Sequence, residues 1–122
     1  MGYDLHITRA EHWIEASSHP ISSDEVMRLV AEDPELEVSL IDFYDRSTEE
    51  GGIERIHPIL WTAHSEEIAL WFQDGEITTK NPDDATIVKM LEIAEKVQAQ
   101  VLGDDGEVYR TRSAPPGWEI SE

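Results

Sequence analysis

Five histidines and one tight group of carboxylates are the residues of this chain best suited to chemistry. Imidazole titrates near neutrality and serves as general acid, general base or metal ligand. Six residues lie between His12 and His19, and six between His57 and His64. Neither spacing stacks two rings on one helical turn, and neither matches a zinc signature. His64-Ser65-Glu66 echoes the H-x-E of zinc deaminases, but the chain has no cysteine to complete that site. The histidines therefore read as surface or loop residues, with His6 on the polar face of a first strand. Asp104, Asp105 and Glu107 form the tightest carboxylate cluster, bracketed by Gly103 and Gly106. Oxygen donors of this kind suit Ca²⁺ or Mg²⁺. The bidentate glutamate of an EF-hand loop is missing, so a plain turn or a partner contact is the simpler reading. With 27 acidic residues some pairing of carboxylates is inevitable, so pairing alone does not identify an acid–base couple. There is no G-x-S-x-G, no phosphate-cradling glycine loop and no G-x-G-x-x-G. No catalytic, cofactor-binding or metal-ligating residue is assigned.

The charge is more informative than any motif. Twenty-seven acids stand against nine bases, a formal net charge of -18 in 122 residues. Charge of one sign at this density repels itself and destabilises the compact state, so it points to a demand from outside the fold, most simply a basic partner. It opposes binding to nucleic acid or to an anionic membrane surface, both polyanions. Fourteen acids lie up to residue 55, eleven between 60 and 109 and two beyond, so the excess is not an acidic tail. Some acids have local work, such as Glu25 in a capping box and Asp83 and Asp84 at a helix start. The acids left for a partner are those of loops: Asp45, Glu49, Glu50, Glu66, Glu67, Asp104, Asp105 and Glu107. Acid spread evenly over the surface would instead indicate adaptation to salt.

The chain is predicted to fold. Leu, Ile, Val and Phe make up 29 of 122 residues, above the roughly 20% below which a highly charged chain stays disordered. The absence of cysteine excludes disulfides, thiolate zinc sites and a cysteine nucleophile. The opening Met-Gly-Tyr-Asp-Leu-His lacks the basic and apolar regions of a signal peptide, and no apolar run approaches the ~18 residues of a membrane span. A cytoplasmic protein is expected.

The elements follow from pattern. Tyr3, Leu5 and Ile7 alternate with polar residues, the period of a half-buried strand. Ser22 and Glu25 have capping-box spacing ahead of Val26, Leu29 and Val30, and Asp33-Pro34 ends that helix. A second strand is expected over 36–44, then a flexible acidic loop over 45–55, then strands over 59–63, 67–73 and 76–80. Asp74-Gly75 signals a tight hairpin. Asn81 as cap and Pro82 at the first helical position predict a helix to about residue 100, with Ile87, Leu91, Ala94, Val97 and Val101 on its apolar face. A short strand or hairpin over 101–109 closes the fold. Trp61 and Trp71 belong to the sheet. Trp13 and Trp118 lie outside regular elements, as core caps or interface anchors. The tail is either mobile or docked by Trp118. This predicts an α+β fold: a mostly antiparallel sheet of five to six strands with two helices on one face, in the order β-α-β-β-β-β-α-β. A single domain would cover residues 1–109, followed by a C-terminal tail over 110–122.

Three stretches carry a resemblance: Gly-Tyr-Asp-Leu-His-Ile-Thr-Arg-Ala at the start, Asn81-Pro82-Asp83 with Lys89-Met90-Leu91-Glu92-Ile93-Ala94, and Leu102-Gly103-Asp104-Asp105-Gly106-Glu107-Val108-Tyr109. Together they resemble a family of small acidic bacterial proteins of largely uncharacterised function, similar in kind to the immunity proteins of polymorphic toxin systems. The resemblance implies a non-enzymatic protein, without cofactor, that binds and inhibits a cognate, basic toxin domain. The alternatives are a small acidic regulatory or scaffold module that binds another protein, and a carboxylate-based metal-dependent enzyme.

Overall fold

The structure, a computed structural model, describes residues 3–63, 67–113 and 116–121. Its strands are β1 (Asp4–Thr8), β2 (Leu36–Val38), β3 (Tyr44–Ser47), β4 (Ile53–Ile56), β5 (Ile59–Trp61), β6 (Ile68–Gln73), β7 (Glu76–Lys80), β8 (Gln100–Gly103), β9 (Val108–Ser113) and β10 (Pro116–Ser121). The helices are α1 (Ser23–Glu32) and α2 (Asp84–Lys96), with a 3₁₀ helix at Trp13–Ser18. Eight strands form one antiparallel sheet in the order β10-β9-β8-β1-β7-β6-β5-β2, and β3 and β4 pair apart from it. Strand β1 sits at the centre because two meanders, β5-β6-β7 and β8-β9-β10, dock on its two sides.

The expectation of five to six strands is corrected: among the described residues there are ten, and the molecule is mostly sheet. Two segments account for much of the difference. The stretch 45–55, read as a flexible acidic loop, is largely a hairpin. Its register sets Asp45 opposite Arg55 and Arg46 opposite Glu54, so the charges that suggested a loop become favourable cross-strand pairs. The tail is largely a second hairpin, with Arg110 opposite Glu119 and Trp118 packed on the Tyr109 ring at 5.2 Å. The strand predicted over 36–44 breaks after Val38, leaving residues 39–43 as a connection to β3.

Register explains which side each residue serves. Leu5 and Ile7 of β1 stand opposite Thr79 and Ile77 of β7, and opposite Gly103 and Val101 of β8. These positions face the helices, where Val26 and Leu29 of α1 and Ile87, Met90, Ile93 and Ala94 of α2 complete one core. The intervening residues Asp4, His6 and Thr8 point to the other face, since side chains alternate along a strand. Asp74 and Gly75 both have positive φ (54° and 78°), as a two-residue hairpin turn requires.

Helix ends are set by local chemistry. Ser22 accepts the Glu25 N–H at 3.2 Å while Glu25 accepts the Ser22 N–H at 3.2 Å. Glu25 also pairs with Arg9 and is pulled down to about 2, first by that guanidinium and then by the Ser22 amide. Removing the hydroxyl in Ser22→Ala is expected to cost about 1 kcal/mol, read by urea unfolding, and Ser22→Asp should restore most of it. The cap of α2 is Asp83, whose carboxylate accepts the Thr86 N–H at 2.9 Å. Asn81, expected as that cap, instead takes a left-handed φ of 49° and accepts the Tyr3 N–H at 2.9 Å. The helix stops at Lys96, short of residue 100, and Gln98 turns left-handed at φ 56°, releasing Val101 to strand β8.

Candidate functional site

The centre of the sheet's polar face is built on His6. That residue is only 4% exposed, and Trp13, at the start of the 3₁₀ helix, stacks on its ring at 4.6 Å and 5°. His6 Nδ1 lies 2.6 Å from Glu76 Oε1, and Nε2 lies 2.8 Å from Asp104 Oδ1. The Trp13 indole N–H donates to the Asp104 carbonyl at 2.9 Å, and the other Asp104 carboxylate oxygen accepts the Asp4 N–H at 2.8 Å. Burial alone would disfavour the imidazolium, but the Glu76 and Asp104 carboxylates outweigh it and raise the His6 pKa. Asp104 is lowered despite its own burial, by the Asp4 amide and by His6. Two carboxylate acceptors require both ring nitrogens to donate, which is the protonated form. An imidazolium closed in this way has no lone pair for a substrate proton. Its evident work is to tie β1, β7 and the β8–β9 turn together beneath Trp13.

The neighbouring carboxylate is also turned inward. Glu107 accepts the Tyr3 hydroxyl, and the Tyr109 hydroxyl lies 3.5 Å away. Burial and then the Glu107 carboxylate push the Tyr3 hydroxyl up, and the same two causes raise Tyr109. Gly103 makes this possible, because a methyl group there would overlap the Glu107 carboxyl. The acids expected to face a partner therefore divide. Asp104 and Glu107 serve the chain's own fold. Asp45 pairs with Arg55, Nε to Oδ1 2.9 Å. Glu49, Glu50, Glu67 and Asp105 are exposed. Glu66, with the His64-Ser65-Glu66 motif, lies outside the described residues. Glu49 and Glu50 sit in the β3–β4 turn and Asp105 in the β8–β9 turn. Among the described residues no group of three or more His, Asp or Glu side chains is placed to hold a metal ion.

A second charged centre escaped the sequence reading. Lys89 lies on the buried side of α2, its side chain 6% exposed, and donates to Asp33 at 2.8 Å, Glu35 at 3.0 Å and Glu92 at 2.8 Å. The Trp61 indole also donates to Glu35 at 3.0 Å. The carboxylates hold Lys89 protonated against its own burial, and Lys89 draws Asp33 down against the burial of that carboxyl. The available signal was its phase: Thr86, Lys89, Met90 and Ile93 recur at three- and four-residue steps on one helical face.

These pairs change the meaning of the charge count. Arg9, Arg46, Arg55, Lys89, Lys96 and Arg110 each face a carboxylate of their own chain. Exposed acids remain at Glu11, Glu15, Asp24, Glu32, Glu37, Glu49, Glu50, Glu67, Glu95 and Asp105. Comparison with protein-family models, curated proteins and solved structures gives no match. Among the described residues no helix is long and apolar enough to cross a membrane.

Proposed function

We propose that this chain is a non-enzymatic cytoplasmic binding protein that captures a basic protein, in the manner of an immunity protein inhibiting a cognate toxin domain. One observation carries the reading: the fold engages most of its few bases internally and displays acid outward. A toxin that attacks nucleic acid must bind phosphate and is basic for that reason, so a compact polyanion matches the charge of its substrate. Complementary fields raise association towards about 10⁸–10⁹ M⁻¹s⁻¹ at low salt, which suits capture of a lethal molecule. The scaffold alternative shares this electrostatic logic. The metal-enzyme alternative draws less support, because Asp104 and Glu107 are committed to His6 and Tyr3.

The test is binding to the product of the neighbouring upstream gene. Glu49→Gln/Glu50→Gln should slow association several-fold and flatten its salt dependence, with little change in dissociation, as read by stopped-flow fluorescence. No binding at low salt would sink the proposal. The scatter of exposed acids over several elements favours one second reading, adaptation to high salt. That reading requires stability to climb steadily into molar potassium chloride, whereas simple screening of self-repulsion levels off once the Debye length falls to about 3 Å near 1 M.

A further inference from the structure

Ile14, Val88 and Ile120 are exposed singly on other elements, but the remaining exposed large apolar residues gather in one region. Leu40 and Ile41 are 80% and 88% exposed, Ile53 is 77% exposed, and Phe43 and Met27 are also open to solvent. With Tyr44 these make six, and five of the six belong to the 39–43 connection and the β3–β4 hairpin. The connection is held in shape: Ser39 Oγ donates to Asp42 Oδ2 at 2.9 Å and accepts the Asp42 N–H at 3.1 Å. The Asp42 carbonyl lies 3.1 Å from His57 Nδ1, and the Arg55 guanidinium covers the Phe43 ring at 3.9 Å. Leu40 and Ile41 are thus presented on a braced turn. Ile53 lies two residues from Arg55, on the same side of β4. The hairpin's other side is committed inward, through Tyr44 on Trp71 at 5.1 Å and Arg46 on Asp74 at 3.0 Å.

Beside this surface, a cleft of about 250 Å³ runs between α1 and the hairpin, its lining including Met27, Val38, Glu54, Arg55, Ile56 and Phe72. We infer that the 39–43 turn, the outward face of the hairpin and this cleft form the docking surface for a basic protein, with one aliphatic or aromatic partner side chain seated beside Met27. The inference rests on the proposed capture of a basic partner and adds where it binds and what anchors it. Binding energy concentrates in a few apolar anchors that fill pockets, while rim charges set rate and specificity. The rim here is acidic: Asp42 lies in the turn and Glu49 and Glu50 lie at the tip of the hairpin, and all three are exposed. That rim also selects the occupant, since a second copy of the chain would set two acidic rims against each other, and a partner with lysine or arginine around an apolar centre would not.

Two lysine-rich peptides of equal length and charge, one carrying a Leu–Phe pair, test this by fluorescence anisotropy against the full chain. The Leu–Phe peptide should bind about tenfold tighter. That advantage should vanish in Leu40→Ser/Ile41→Ser, whose residues are too exposed to matter for folding, while weaker charge-driven binding of both peptides persists. Glu49→Gln/Glu50→Gln should weaken both peptides alike. Equal binding of the two peptides to wild type and to the serine variant would overturn the docking surface and leave capture of a basic partner standing. Binding of neither peptide at low salt would overturn both. A wild-type dimer in sedimentation equilibrium that the serine variant abolishes would assign the surface to a second copy and overturn the inference as well.

Discussion

Lys89→Met is expected to destabilise the fold by about 3 kcal/mol, the low end of the cost of breaking a buried ion pair. Methionine retains the unbranched stem, so most of the loss comes from charge and hydrogen bonding. The cost arises on Asp33, whose side chain is 5% exposed and would be left with Lys96 at 3.5 Å as its remaining cation. Glu35 and Glu92 are about half exposed and rehydrate readily. The companion variant Asp33→Asn keeps an acceptor for the Glu35 N–H, which Asp33 now accepts at 2.9 Å. Combining the two changes should recover part of the loss, and the double-mutant cycle in urea unfolding measures the coupling. The pH dependence has a definite sign. Asp33 is lowered from 3.8, so its contribution is present above that value and disappears as pH falls through the lower folded-state value. In Lys89→Met that acid-side loss should shrink. A Lys89→Met variant within 0.5 kcal/mol of wild type, the range of an ordinary surface change, would show that the pair is not buried in solution.

His6→Gln is the second large effect, at about 2–3 kcal/mol. It lies below the cost of a fully buried pair because Asp104 is 32% exposed and can rehydrate. Glutamine can donate to one carboxylate but cannot satisfy both Glu76 and Asp104, and it loses the stacking on Trp13. The diagnostic is again the pH profile. His6 is raised above its ordinary 6.5, so its stabilisation is fully present below that value and is lost as pH rises through the folded-state value. Wild-type stability should therefore decline from mildly acidic to alkaline pH, and His6→Gln should remove that decline. A Trp13→Ala variant tests the lid: it should expose the imidazole to water and reduce its pKa elevation, read by proton NMR titration of the ring. A flat wild-type profile between pH 5 and 9 would mean that the His6 pKa is not raised by folding and that the two-carboxylate geometry is not kept in solution.

Parts of this architecture were legible in the chain. The Leu5–Ile7 alternation, the Ser22–Glu25 box and the Asp74-Gly75 turn are local devices, each set by residues no more than three apart. The hairpin over 45–55 was not legible, because an acidic, glycine-containing stretch lacks strand propensity until Arg55 and Glu54 come opposite Asp45 and Arg46. Nor was the buried state of His6: nothing near it in sequence announces Glu76, Asp104 or Trp13, which lie 70, 98 and 7 positions away. Asp104 and Glu107 looked like surface acids for the same reason, their partners His6 and Tyr3 being at the opposite end of the chain.

The amino-acid sequence by itself determined that this is a folded, cysteine-free polyanion with two amphipathic helices and a first strand with one polar face. Those properties follow from composition and from periodicities of two to four residues. Tertiary structure alone decided which acids are occupied and which are on display, because pairing in an antiparallel sheet joins residues up to a hundred positions apart. It also left Leu40, Ile41 and Ile53 in water: hydrophobicity makes burial favourable, but only packing supplies a surface to be buried against, and here the chain leaves that surface open.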